Sequence, residues 1–278
     1  MKKILFLSTV ILLSAFNSQS QSLKFISYNL RYDNPNDGIN RWELRKENIV
    51  DLIEKYDPDV FGTQEGLNHQ VEYLNDHLSE YNYLGVGRDN GEEKGEYCAI
   101  FYKKDLYKVI DQSTFWLSKT PDKVSVGWDA VLERICTYTL LENKKTGKRF
   151  WVFNAHFDHV GKEAQQNSAQ LIFDKIKEFN TGNYPCVLMG DLNLKPESKA
   201  IRFLSTVMDD TYDLAGEKKS GPAGTFNAFK HEQPVTDRID YIFVSKNDGK
   251  LKTFKIVDDK VDGRYPSDHL PVFAVIKF

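Results

Sequence analysis

Tyr265-Pro266-Ser267-Asp268-His269-Leu270-Pro271-Val272, YPSDHLPV, leads straight into the apolar VFAVIKF. Proline holds φ and donates no backbone hydrogen bond, so Pro266 and Pro271 box an adjacent carboxylate and imidazole onto a stiffened turn at the mouth of a strand. A lone SDH is an ordinary turn beside a surface histidine. What gives this one weight is that the same pattern recurs upstream.

Asn29 and Arg31 end SYNLR, Glu65 sits in FGTQEG, and His156 and Asp158 end FNAHFDH. Asp191 and Asn193 end LMGDLN, and Asp240 stands in DRIDYIFV. Several of these pairs are two residues apart, which puts both members on the same side of a strand. Polar side chains leaving apolar strands at their ends can meet in a shared cleft. The strand-like runs are LKFISYNL, DVFGTQE, YNYLGVG, YCAIFYK, ICTYTLL, RFWVFNA, CVLMGDLN, RIDYIFVS and FAVIKF. Helices are expected over Trp42–Tyr56, Asn68–Glu80, Glu163–Phe179 and Ser198–Leu204. No Gly/Pro/Ser linker interrupts them, so one α/β or α+β domain of packed layers is expected over residues 23–278.

The first 22 residues, MKKILFLSTVILLSAFNSQSQS, have two lysines, an apolar run and a polar end, and read as a cleaved signal peptide. The run is shorter than the roughly 20 residues that span a membrane, so a soluble periplasmic or secreted protein without stable anchoring is expected. Without Lys2 and Lys3 the chain has 35 basic against 40 acidic residues, a net charge of −5. That excludes a broadly basic nucleic-acid surface, although Arg31, Arg41, Arg88 and Arg134 could supply one locally. The basic run NKKTGKRF lies between two strands and reads as a hairpin with Thr146-Gly147 at its tip. Cys98, Cys136 and Cys186 lie in apolar segments without metal-ligand spacing and read as small buried hydrophobes, with one disulfide open to them. DNPNDGIN from Asp33 suggests a calcium loop, but Pro35 and Leu44 stand where ligands belong, so that reading is rejected.

Taken together and in order, from ISYNLR to SDHLPV, the motifs resemble the endonuclease/exonuclease/phosphatase superfamily, in its secreted bacterial branch. The resemblance covers nearly all of the chain beyond the leader. It implies an α/β (α+β) four-layer sandwich, two mostly antiparallel sheets face to face with helices outside. It also implies roles. Asn29, Glu65 and Asp268 match metal-side positions, with Glu65 the principal ligand. His156 matches the histidine on the scissile phosphate, and Asp191 and Asn193 the pair that orients water and phosphate. Asp240 matches the carboxylate that holds His269, the general base, a part that Asp191 could also play. Relatives usually carry an arginine where Gln165 stands, a departure that puts in doubt any phosphate contact from that helix. His159 and Arg134 lie near the cleft in the family pattern, where a surface histidine and a strand-capping salt bridge are equally open readings.

The residue types make independent chemical sense. If Glu65, Asp191 and Asp268 converge, each pair at about 4 Å repels by roughly 4 kcal/mol at an effective dielectric of 20. A divalent cation compensates this, and oxygen ligands without thiolate favour Mg²⁺ or Mn²⁺ over zinc. The function expected is that of a monomeric metal-dependent phosphoesterase attacking a phosphodiester or phosphomonoester directly with water. Its substrate would be a phosphate ester, with a nuclease and a sugar- or inositol-phosphate phosphatase both open. A catalytically silent binding module on the same fold is the alternative from another class.

Overall fold

The computed structural model describes residues 22–278, so the expected leader lies outside the described residues except for Ser22. The strands in chain order are β1 (Ser22–Asn29), β2 (Val60–Gln64), β3 (Tyr81–Leu84), β4 (Ile100–Lys103), β5 (Tyr107–Trp116) and β6 (Ile135–Asn143). They continue with β7 (Arg149–His156), β8 (Cys186–Asp191), β9 (Met208–Asp210), β10 (Asp240–Ser245), β11 (Lys250–Ile256) and β12 (Val272–Lys277). The helices are α1 (Lys46–Tyr56), α2 (Asn68–His77), α3 (Lys162–Phe179), α4 (Lys199–Val207) and α5 (Thr211–Ala215).

Two six-stranded sheets form, in the orders β11-β12-β1-β2-β4-β3 and β5-β6-β7-β8-β10-β9. Each has one parallel pair at its centre, β1 with β2 and β7 with β8, and is otherwise antiparallel. Phe25, Val60 and Ile100 of the first sheet pack against Phe150, Val187 and Ile242 of the second. The outer face of the first sheet packs on α1 and α2 through Ile49, Ile53, Val71 and Leu74. That of the second packs on α3 and α4 through Ala169, Ile172, Ile201 and Leu204. These are the four layers expected.

The sheet register positions the site. β1 and β2 run parallel and end together at Asn29 and Gln64, and β7 and β8 end together at His156 and Asp191. Asp240 opens β10 opposite Asp191, and β12 begins just after His269. Six chemistry-bearing positions therefore gather at one end of the sandwich. Gly190, at φ 151°, lets β7 and β8 close up there, since a Cβ would lie 1.9 Å from the Ala155 carbonyl oxygen.

Three strands, β5, β9 and β11, were not expected from the sequence. All are sheet edges, and β5 and β11 carry lysine, aspartate or glutamine on exposed faces, which guards an edge and erases the apolar signature. The expected helix from Trp42 begins instead at Lys46, after a 3-10 turn over Trp42–Leu44. Arg45 interrupts it, because its buried guanidinium donates to the carbonyls of Leu30, Arg31 and Pro266 and its Nε to that of Asn40. The hairpin at Thr146-Gly147 forms as expected, with Gly147 at φ 70°. Cys98, Cys136 and Cys186 are buried free thiols. Among the described residues no helix is long and apolar enough to cross a membrane.

Candidate active site

Three residues just beyond the central strands, Arg31 (φ 58°), Glu65 (φ 63°) and Asn193 (φ 50°), are left-handed without being glycine. Each such conformation costs on the order of 1–3 kcal/mol and persists only where the surroundings hold it. Here it turns the chain at the exits of β1, β2 and β8, and all three residues line one cleft of about 490 Å³ with Glu96, Arg134, His156, Asp191, Asp268 and His269.

At the centre, Glu65, Asp191 and His269 each offer a ligand atom within 4.8 Å of the others. Asn29 lies across them, its amide nitrogen donating to Glu65 Oε1 (3.0 Å) and Asp191 Oδ2 (2.9 Å). The backbone N–H of Tyr32 donates to Glu65 Oε2 at 3.1 Å, and that of Asn193 to Asp191 Oδ1 at 2.9 Å. The two carboxylates, Glu65 and Asp191, could hold a divalent cation with the His269 imidazole beside it. Of the expected metal-side residues, Glu65 stands at the centre and Asn29 bridges it to Asp191 by its NH₂, with His269 in the same cluster. Asp268 stands beside it, with Oδ2 4.0 Å from Arg31 Nε and Oδ1 near the Ser267 hydroxyl.

His269 is buried and donates through Nδ1 to Asp240 Oδ2 at 2.9 Å, as expected, leaving Nε2 3.8 Å from Asp191. The other carboxylate oxygen of Asp240 is buried without a partner among the described residues, which keeps the charge directed at the imidazole. Burial alone would lower the His269 pKa, but the surrounding charges of Asp240 and Asp191 outweigh it and raise it well above the ordinary histidine value. Burial, reinforced by Asp240, pushes the Asp191 carboxyl up to about 7. Phe226 covers the His269 ring at 4.9 Å between centroids.

The second histidine is set up differently. Arg134 Nη1 (3.1 Å) and the Asn193 amide nitrogen (3.0 Å) both donate to His156 Nε2. Nε2 must then be unprotonated and the proton sits on Nδ1, 3.6 Å from Glu96 Oε2. Burial and the cations Arg134 and Arg88 push the pKa of His156 well below the ordinary value, so it is a neutral acceptor and donor, not an acid.

Glu96 is a site residue that the sequence reading missed. Its carboxyl is pushed up to about 7 by burial, against the pull of Arg88, which donates to it at 2.6 and 3.0 Å. A signal was available, since EYCAIFY alternates and places Glu96 on the side of Cys98 and Ile100 at the mouth of β4. Arg134, left open between cleft and salt bridge, serves both, because its Nε lies 3.4 Å from Asp158 while its two terminal nitrogens donate to His156 and to His159. Asp158 itself caps the loop after β7, accepting from Val160, Gly161 and Val131. Gln165 is buried and donates to the Asp158 carbonyl at 2.7 Å.

Comparison with known proteins agrees with this geometry. Residues 26–269 match the Endonuclease/Exonuclease/phosphatase family. A solved endonuclease/exonuclease/phosphatase family protein from Bacteroides thetaiotaomicron is 40% identical, with a TM-score of 0.87 over 94% of this chain and 99% of that one. A mannosyl-6-phosphatase from Bacteroides thetaiotaomicron VPI-5482 is also 40% identical, with a TM-score of 0.87 over 92% of this chain and 100% of that one. The CCR4-Not complex 3'-5'-exoribonuclease subunit Ccr4 of Mycosarcoma maydis is 24% identical over 344 residues, 94% of this chain but 51% of that protein, so the chain spans about half its length. With its sandwich fold, its carboxylate–imidazole centre and a match over nearly all of the described residues, the chain belongs to the endonuclease/exonuclease/phosphatase family of metal-dependent phosphoesterases.

Proposed function

We propose that the protein is an exported, monomeric, Mg²⁺- or Mn²⁺-dependent phosphatase that hydrolyses a sugar phosphomonoester by direct attack of water. One observation carries this reading. The Glu65–Asp191–His269 cluster and the hydrogen-bonded set of His156, Asn193 and Arg134 share a single cleft of about 490 Å³. That is the size of a small-molecule site. A divalent cation held by Glu65 and Asp191 would neutralise phosphate oxygens and the charge that develops on the leaving group.

The chain's own groups do the rest. Asp240 holds the Nδ1 proton of His269, and a bound cation would offset the carboxylate charge that raises the pKa of this imidazole, freeing Nε2 to take a proton from the attacking water. Asn193 and Arg134 donate to His156 and with it orient the phosphoryl group. No side chain is required to form a covalent intermediate.

Similarity at 40% identity to a mannosyl-6-phosphatase over its whole length supports a sugar phosphate more strongly than 24% identity to half of an exoribonuclease supports RNA. Two of the four local arginines point the same way, since Arg88 is buried against Glu96 and Arg31 is paired with Asp37, which takes their charge from a phosphate backbone. Export rests on the charged, apolar start of residues 1–22. The test is a substrate panel of mannose 6-phosphate, an inositol phosphate, bis(p-nitrophenyl) phosphate and an oligoribonucleotide. The sugar monoester should turn over fastest. Faster cleavage of the oligonucleotide would overturn the phosphatase reading, and no turnover of any substrate would favour a silent binding module.

A further inference from the structure

The stretch Asp33–Asn40, rejected as a calcium loop, has another use, because it builds a frame around Arg31. The Arg31 guanidinium donates through Nε and Nη2 to the two carboxylate oxygens of Asp37, at 2.9 and 3.0 Å. Its face lies 4.6 Å from the centre of the Tyr32 ring. The Arg31 carbonyl accepts from Arg45 Nη2 at 2.6 Å and from Gln70 Nε2 at 3.1 Å. The loop closes on itself as Asp37 N–H donates to the Asn34 carbonyl and Asn36 N–H to the Asn34 side chain, while Asp33 N–H is anchored on Gln70 Oε1. Arg31 and Tyr32 both line the cleft. Of the three guanidinium nitrogens, Nη1 has no protein acceptor among the described residues.

Arg31 and Arg134 face the cleft with different charge balances. Arg134 has one carboxylate, Asp158, and turns its terminal nitrogens to the imidazoles of His156 and His159. Arg31 has Asp37 in a two-point pair and Asp268 at 4.0 Å, so its charge is already matched within the protein. A matched guanidinium has little field left to draw an anion, but it keeps fixed, directional donors, and its carboxylate partner keeps acceptor capacity. A rigid donor–acceptor pair against an aromatic ring suits neutral hydroxyl groups. We propose that Arg31, clamped by Asp37 against Tyr32, is the specificity-determining residue that binds hydroxyls of the sugar leaving group. This rests on the sugar-phosphatase reading. A site built to hydrogen-bond a substrate hydroxyl discriminates against analogues that lack it.

The test compares mannose 6-phosphate with p-nitrophenyl phosphate, whose leaving group has no such hydroxyls, in wild type, Arg31→Met, Arg31→Lys and Asp37→Asn. Arg31→Met should lower kcat/KM for the sugar phosphate by about 10-fold or more, mainly through KM, as expected for a lost hydrogen bond to a charged donor. The loss on the aryl phosphate should be at least about fivefold smaller. Asp37→Asn and Arg31→Lys should show the same bias more weakly. Free mannose should broaden in NMR spectra with the wild type and not with Arg31→Met. Equal losses on both substrates, or no loss on either, would overturn the assignment while leaving the phosphatase reading in place. If Arg31→Met does not fold, the bias of Asp37→Asn and Arg31→Lys decides alone. A wild type that hydrolyses the aryl but not the sugar phosphate would overturn the reading and the assignment together.

Discussion

His269 Nδ1 and Asp240 Oδ2 lie 2.9 Å apart with both residues buried, joining the turn before β12 of one sheet to the first residue of β10 in the other. The pair therefore works only when the two sheets are docked. Replacing His269 by alanine should lower kcat by about 100-fold or more with little change in KM, since proton transfer helps the transition state and not binding. Asp240→Asn and the double variant should each cost nearly as much as His269→Ala alone. Steady-state kinetics of the three variants measures this, and additive losses would mean that the residues act separately.

Activity should vanish on dialysis against EDTA and return on addition of Mg²⁺ or Mn²⁺. Glu65→Gln should weaken metal affinity, read by titration calorimetry, while leaving thermal stability in the metal-free state unchanged or raised, because it removes one of the converging charges. A large drop in Tm of that variant would assign Glu65 a structural part instead.

The metal-free protein should lose stability between about pH 6 and pH 8. Asp191 and Glu96 have folded-state pKa values raised to about 7, and that of His269 is raised well above its ordinary value. The folded state thus binds more protons than the unfolded state in this window, which makes stability fall as pH rises. The slope is about 1.4 kcal/mol per pH unit for each proton retained. Added Mg²⁺ competes with those protons, so the rise in Tm that it causes should be larger at pH 8 than at pH 6. Calorimetric scans with and without the ion check both signs, and a metal-free Tm that climbs from pH 6 to pH 8 would contradict the assignment.

Gly190→Ala should destabilise the protein and reduce activity together. A Cβ there meets the Ala155 carbonyl oxygen in a backbone conformation that other residues rarely adopt. Pushing β7 from β8 separates His156 from Asp191, which now sit 3.5 Å apart. A loss of about 2 kcal/mol or more by denaturant unfolding is expected.

The proposed export predicts that mass spectrometry of the mature protein finds its first residue near Leu23, after removal of residues 1–22. An intact Met1 in the membrane fraction would contradict the leader.

Much of this protein is determined locally and is legible in the order of its residues. The buried central strands declare themselves as apolar runs, and their ends declare themselves as polar pairs two residues apart, because a strand alternates its faces. Asn29, His156, Asp191 and Asn193 could be picked out in that way, whereas Glu65, Asp240 and His269 gained weight from the order of the motifs and the family resemblance. The edge strands β5 and β11 could not be picked out, since an edge is protected by the same charged residues that make a segment read as loop. Only the tertiary structure decided which polar ends meet, because those contacts span the chain. Asn29 reaches Asp191 across 162 positions, and Ser267 reaches the Asn29 carbonyl across 238. Through such contacts Glu96 joined the site, Asp268 came to stand beside Arg31, and an arginine followed by a rejected calcium loop became a clamped donor in the cleft. Secondary-structure periodicity sets the direction in which a side chain leaves its own strand, but its neighbours depend on the docking of two sheets, which no single segment encodes.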